Sequence, residues 1–394
     1  MNICFLAFLP MIPYECGVQR VTTVLSQELS RRGHSIVFLC YSESRKHKIS
    51  NPEIEYPQYY LDITSGDKEV IKDALMQFID NHRIEVVINQ TPDVDSALIL
   101  SLVPSRVKVV SESHVVPFFY HNSTRRSLWR VFPSNTLRIA LHKTIAITFP
   151  RLFSLYANRK EKRIIESVLP NSDRFVFISE RYFDRILHYL PDFPKEKLVA
   201  INNPNAFETQ NAIDYSTKKN VVLWVGRLDP NKNCMAFVKA WRLFYVNHPN
   251  WTAIVAGDGS MMHICKEYVN SHQLNNIEFL GYCKEVKSLY KDAKLFVSTS
   301  YNESWGMSIT EAMSLGCVPV VYNTYETLTD ILQDGINGYL CEPNPKALAA
   351  KLSELVEREG QICNIGIAAQ KYVERFSSAV ICDEWESLLN GIIK

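Results

Sequence analysis

The sequence predicts an α/β protein built from two doubly wound, Rossmann-like parallel sheets facing each other across a cleft. Three observations lead there. The 394 residues are too many for one ordinary core and suit two of about 200 residues each. Short apolar runs alternate with segments of helical period, the pattern of parallel strands covered by helices on both faces. That alternation runs twice, with a polar stretch between the two series.

The first series places strands at 3–9, 35–41, 85–89 and 107–111, with helices at about 18–33, 67–82 and 93–102 between them. The alternation then breaks over 118–165, which reads as a helical and irregular insertion. Strands resume at 174–178 and 198–202. Residues 203–220 (NPNAFETQNAIDYSTKKN) are polar and aperiodic, as a linker is. The second series sets strands at 221–225, 251–256, 277–280, 294–298 and 318–322, and the chain closes on an amphipathic helix bearing Trp385, Leu388, Leu389 and Ile392. The expected domains are therefore 1–204 with the 118–165 insertion, 205–375, and a terminal helix over 376–394.

Composition excludes several classes. With 46% hydrophobic and 22% charged residues the chain is of globular type, and its net charge of +1 points to no nucleic-acid partner. The ten cysteines are scattered and show no zinc spacing, so free thiols in a reducing compartment are expected, with no metal and no cofactor. The opening MNICFLAFLPMIP lacks a basic start and a small-residue cleavage site, and reads as a buried strand. No apolar run reaches the roughly 18 residues a membrane span needs. A cytoplasmic protein is expected, which leaves the sequons at Asn122, Asn250 and Asn302 without meaning.

Charge is uneven along the chain. Between Phe118 and Arg163 there are ten Arg and Lys and one acid, Glu161, interleaved with eight aromatic residues, so this segment carries +9 and the remainder −8. Such a stretch suits an anionic membrane surface; the plainer reading is a solvated helical hairpin with its aromatics in the core.

Two stretches carry chemistry. The strand at 221–225 runs into Gly226-Arg227-Leu228-Asp229-Pro230-Asn231-Lys232-Asn233, where Arg227 and Lys232 would clamp an anion, or else form a solvated basic loop. The strand at 294–298 runs through Glu303 into a helix starting near Gly306 and containing Glu311. A helix start suits a diphosphate, and carboxylates suit sugar hydroxyls. The alternative makes Glu303 a helix-start acid and Glu311 a surface residue. Asp93-Val94-Asp95 has the form of a metal-binding DxD, but its place at a helix start makes it a cap.

The stretches GRLDPNKN, VAGDGS at 255–260, FLGY at 279–282 and ESWGMSITEAMSLGCVPVV at 303–321 together resemble the C-terminal half of family 4 retaining glycosyltransferases, over about 120 residues and with the E-x7-E signature intact. The resemblance implies the two-domain GT-B fold. It implies that Arg227 and Lys232 hold the donor diphosphate, Glu303 contacts the transferred sugar and Glu311 the ribose. By the same resemblance, Trp305, Gly306, Met307 and Ser308 line the donor site, and Tyr282 and Cys283 lie near the base. Gly17 resembles the family's glycine loop, although Cys16 stands where a second glycine is usual, and His114 matches the active-site histidine. The C-terminal segment with Phe376 and Trp385 resembles the tail helix that returns to the first domain.

The function implied is transfer of a sugar with retention from a UDP- or GDP-sugar to a saccharide or lipid-linked acceptor in surface-polysaccharide synthesis. It would run without a metal, at the inner face of the plasma membrane. Two rivals remain: a catalytically silent partner subunit, against which the intact Arg227, Lys232, Glu303 and Glu311 argue, and a nucleotide-sugar epimerase, whose product would be a free epimeric sugar nucleotide.

Overall fold

A computed structural model describes residues 1–13, 16–42, 55–119, 148–209 and 213–393. Most of the basic insertion expected at 118–165, the part from 120 to 147, lies outside the described residues. The chain divides into two compact units.

The first unit begins with β1 (Asn2–Ala7), α1 (Gly17–Arg31), β2 (Ser35–Cys40), β3 (Gln58–Tyr60), α2 (Lys68–His82) and β4 (Val86–Asn89). It continues with α3 (Val94–Ser101), β5 (Lys108–Ser113), α4 (Pro150–Val168), β6 (Arg174–Phe177), α5 (Phe183–Tyr189) and β7 (Leu198–Ala200). The strands form a parallel seven-stranded sheet in the order β3-β2-β1-β4-β5-β6-β7. Strands β1, β2 and β4 are buried almost throughout, which is why they read as continuous apolar runs. Local signals set the helix starts. Asp67 caps α2 through the Glu69 and Val70 N–H groups, and Asp93 makes a capping box with Ser96 at α3. The Asp93 carboxylate also accepts the Tyr41 hydroxyl at 2.9 Å, so the first acid of the DxD sequence is engaged as a cap.

The second unit holds β8 (Lys219–Val225), α6 (Cys234–Tyr245), β9 (Thr252–Ala256), α7 (Met262–Ser271), β10 (Ile277–Gly281), α8 (Lys287–Asp292) and β11 (Ala293–Ser298). These are followed by α9 (Met307–Ser314), β12 (Val318–Tyr322), α10 (Leu328–Ile331), β13 (Tyr339–Cys341), α11 (Pro345–Val356) and α12 (Glu359–Val373). Its parallel sheet runs β10-β9-β8-β11-β12-β13. Trp224, Phe237, Trp241 and Phe244 fill the core between this sheet and α6.

The last helix, α13 (Ser378–Ile393), packs in the first unit. Ile381, Cys382, Trp385 and Leu389 join Leu25 and Leu29 of α1 in one buried cluster. Arg32 clips it there, donating to Asp383 at 2.5 Å, to Glu386 at 2.6 Å and to the Ala379 carbonyl at 2.8 Å, while His34 meets the other Glu386 oxygen at 2.7 Å. These partners hold the Glu386 carboxyl below its ordinary range, the His34 hydrogen bond most strongly.

The edge strands β3 and β13 were not anticipated. Each has three residues and only one neighbour, so neither shows a period. Among the described residues no helix is long and apolar enough to cross a membrane.

Candidate functional site

In each sheet the strand order reverses once, between β1 and β4 in the first and between β8 and β11 in the second. Loops leaving the carboxyl ends of two such neighbours diverge to opposite faces and open a crevice, which is where doubly wound sheets take ligands. The loops that carry Arg227, Lys232 and Glu303 and the helix start at Gly17 lie at these points.

In the second unit the loop after β8 is laced to the loop after β11. Thr299 accepts from the Trp224 indole at 3.1 Å and faces the carbonyls of Lys232 and Asn233 at 3.1 and 3.0 Å. Asn231 donates to the Asn302 carbonyl at 2.8 Å and returns its own carbonyl to the Tyr301 N–H at 2.8 Å. Asn233 sits in the left-handed region at φ 55°, the turn that starts α6. Asp229 folds the basic loop from within, accepting the Arg227 guanidinium at 2.7 Å and the Lys232 N–H at 2.9 Å. The lacing brings Lys232 Nζ into direct contact with Glu303 Oε1. Arg227 is 76% exposed and held at one end only, so its fork is free to turn toward an anion.

Gly306 opens α9 at φ 102°, where a Cβ would lie 2.7 Å from the Tyr325 hydroxyl. Both the backbone and the space there require glycine. The N–H groups of Met307 and Ser308 open the first turn, where no carbonyl of the helix can reach them. Glu311 is 2% exposed, not a surface residue, and accepts the Tyr290 hydroxyl at 3.2 Å. A carboxylate buried this far suits a ligand that brings hydroxyl donors. Trp305 is placed differently: its ring is buried edge-on against Phe376, centroids 5.1 Å apart, so the indole serves the core and only its backbone follows the loop. Tyr282 is exposed and Cys283 half-buried just past β10, tied to the sheet by the Gly257 N–H donating to the Gly281 carbonyl at 2.7 Å.

In the first unit Gly17 begins α1 beside the switch point. Cys16 before it is extended at φ −153°, a conformation open to any residue, so the missing second glycine costs the backbone nothing. A Cβ on Gly17 would meet no atom within 4 Å. His114 follows β5 and is 7% exposed, with Nε2 2.9 Å from Gln90 Oε1 and 3.4 Å from Glu112 Oε2. Gln90 and Glu112, which it meets, and Thr22, which meets Gln90, were not singled out in the sequence. The available signal was polar residues, Asn89-Gln90 and Ser111-Glu112, at the ends of apolar strands.

Comparison with known proteins agrees with this fold. The profile described as Glycosyltransferase Family 4 matches residues 16–204, and that described as Glycosyl transferases group 1 matches 206–372. The chain is 29% identical over 226 residues to the GalNAc-alpha-(1->4)-GalNAc-alpha-(1->3)-diNAcBac-PP-undecaprenol alpha-1,4-N-acetyl-D-galactosaminyltransferase of Campylobacter jejuni, covering 57% of this chain and 59% of that one. It is 28% identical over 239 residues to the poly(glycerol-phosphate) alpha-glucosyltransferase of Bacillus subtilis, covering 58% and 34%. The matches thus span less than two thirds of these relatives' own lengths. Among solved structures, Anabaena HepE in complex with UDP and glucose aligns at TM-score 0.71 with 16% identity over 99% of this chain and 100% of that one. Staphylococcus aureus TarM aligns at 0.74 with 14% identity over 99% of each. Two profiles in tandem, matching nearly the whole chain, on two parallel sheets shared with such structures, make this chain a member of glycosyltransferase family 4 with the GT-B fold.

Proposed function

We propose that this protein is a retaining, metal-independent glycosyltransferase that moves a sugar from a nucleotide diphosphate to a lipid-linked or saccharide acceptor in surface-polysaccharide synthesis. The observation that carries the reading is the meeting of Lys232 with Glu303 at the second switch point, directly before the helix start at Gly306. Leaving-group departure builds negative charge on the diphosphate. Lys232, Arg227 and the first N–H groups of α9 supply fixed positive charge for it without a metal ion. A diphosphate that pairs with Lys232 releases Glu303 to accept a hydroxyl of the transferred sugar, and buried Glu311 takes the ribose hydroxyls. Tyr282 and Cys283 lie near the base. Retention is supported by relatives whose names specify alpha-linked products. A UDP-sugar donor is supported by the fold relative bound to UDP and glucose, and the acceptor class by the relative named for an undecaprenol diphosphate.

The acceptor's membrane also has a fitting surface. Helix α4 is amphipathic in the inverted sense. Its inner face carries Ser154, Asn158, Glu161, Ile165 and Val168, whereas Leu152, Leu155 and Tyr156 are 65, 55 and 66% exposed. Arg159, Lys160 and Arg163 continue that outer stripe, with Glu166 one turn further on. Apolar side chains ringed by basic ones suit the surface of an anionic bilayer at the inner face of the plasma membrane.

The test is thermal shift against UDP-, GDP- and ADP-sugars, with Lys232→Ala as control, followed by the anomeric configuration of the product and the effect of a chelator. Stabilisation by one nucleotide class, lost in the variant, with an α product and no chelator effect, supports the reading. Silence toward all three classes removes it.

A further inference from the structure

The stretch VAGDGS at 255–260 carries no basic side chain, yet the structure seats it directly against the loop that presents Arg227 and Lys232. The two loops leave the carboxyl ends of the paired strands β8 and β9, and backbone hydrogen bonds join them. The Gly226 N–H donates to the Ala256 carbonyl at 3.0 Å, the Leu228 N–H to the Asp258 carbonyl at 2.9 Å, and the Met261 N–H to the Leu228 carbonyl at 2.8 Å. Leu228 is thus held by both of its backbone groups, and its side chain is fully buried in the core of the unit. Its neighbour Arg227 is left facing solvent.

The approach is close enough to exclude a side chain at two positions of the β9 loop. Gly257 stands at φ 140°, and a Cβ there would overlap the Gly226 carbonyl oxygen. Gly259 stands at φ 154°, and its Cβ would lie 2.5 Å from the Leu228 carbonyl oxygen and 2.8 Å from the carbonyl carbon. Both obstacles are backbone, which has no rotamer to turn aside, so a methyl at either position displaces the basic loop. The Lys232 stem lies over the same segment, its Cδ 3.8 Å from the point a Cβ on Gly226 would occupy.

We infer that Gly257 and Gly259 are positioning residues that set where Arg227 and Lys232 stand, by letting the backbone of the β9 loop carry the backbone of the β8 loop. They act through Gly226 and Leu228. Two cations that must meet one anion together tolerate little displacement, since a misplacement of about 1 Å can cost roughly 10²-fold in rate. The inference rests on the glycosyltransferase reading for what the cations hold, but not for how they are held.

The test compares Gly259→Ala with Gly335→Ala in the full chain. Gly335 has a left-handed backbone at φ 75° but no atom within 4 Å of a Cβ, so its substitution strains the backbone without displacing a loop. Amide hydrogen exchange gives the first arm. In Gly259→Ala the amides of 226–233 should exchange roughly tenfold faster while those of β11 and β12 keep their rates; unchanged exchange over 226–233 overturns the inference. Should Gly259→Ala not melt cooperatively, Met261→Pro takes its place. It removes the N–H given to Leu228, at a helix start where proline is tolerated, and the same outcomes decide. Turnover supplies the second arm. Gly259→Ala should lower kcat/KM for the nucleotide-sugar roughly 10–10²-fold, and Gly335→Ala should leave it at the wild-type level. In a chain already carrying Arg227→Ala, the Gly259→Ala loss should shrink by about threefold or more, because one of the two groups it displaces is gone. A loss of undiminished size in that background, or an equal loss in Gly335→Ala, overturns the inference. If no nucleotide-sugar binds at all, the glycosyltransferase reading fails, while the exchange result still decides whether the glycines hold the loop.

Discussion

In the second unit the charged groups at the switch point come from two stretches of chain, 226–233 and 299–311, and each stretch follows directly from a strand. In the first unit the corresponding edge is furnished by Thr22, Gln90, Glu112 and His114, drawn from one helix and the ends of two strands. The second arrangement is local and half-exposed, with Arg227 open to solvent and Lys232 reaching one carboxylate. The first is dispersed and buried, each group satisfied by one distant in sequence except at His114 Nδ1. Local, exposed charge can be changed with little effect on the fold. A buried polar chain cannot, because each member is the partner of another. The two units therefore answer mutation differently: loss of function alone in one, loss of function together with stability in the other.

The largest effect expected is on stability, in the first unit. Trp385→Ala empties a fully buried site between α13 and the sheet, and should destabilise by about 3–5 kcal/mol. Urea unfolding monitored in both units would show it, and an unchanged midpoint would mean α13 is not part of that core. Next comes function without stability: Lys232→Ala should lower turnover roughly 10²–10³-fold, with its melting temperature nearly unchanged. Near-normal activity would remove the second unit's site altogether.

Third is a pH effect confined to the first unit. Burial pushes the Glu161 carboxyl from an ordinary value near 4.5 up to about 7, against the Phe118 N–H it accepts at 2.7 Å and the nearby Arg185 charge, both of which lower it. The folded state then holds a proton that the unfolded chain releases. This stabilisation is full below about pH 4.5 and is lost as pH rises through 7. Glu161→Gln should match wild type at pH 4 and exceed it by up to about 3 kcal/mol at pH 8, since each tenfold difference in proton affinity between the folded and unfolded chain is worth about 1.4 kcal/mol. Equal pH profiles would place the carboxyl in water. The smallest effect is Gly17→Ala. No neighbouring atom crowds a Cβ there, so the fold should be unchanged while kcat/KM falls about tenfold from a misplaced ligand. Unchanged activity would leave that glycine without a part in binding.

Much of the architecture was legible from residue order. Strands such as β1, β4 and β12, buried on both faces, show as apolar runs, and the caps Asp67 and Asp93 mark their helices. The charged loops of the second unit's candidate site were legible too, because a strand-end loop keeps its chemistry within eight residues. The edge strands β3 and β13 were not, being too short to show a period. Nor was the inversion of α4, whose outward Leu152, Leu155 and Tyr156 have the residue types of a core face.

Sequence alone determined the fold class, the two β/α series and the loop that presents Arg227 and Lys232, because all of these are set by neighbours along the chain. Tertiary structure decided that Trp305 serves the core while Glu303 holds Lys232, and that α13 completes the first unit's hydrophobic cluster. It also decided that Glu112 and Gln90 lie against His114. These depend on which strands lie side by side, and that order follows from the packing of the whole sheet, which no local stretch of sequence specifies.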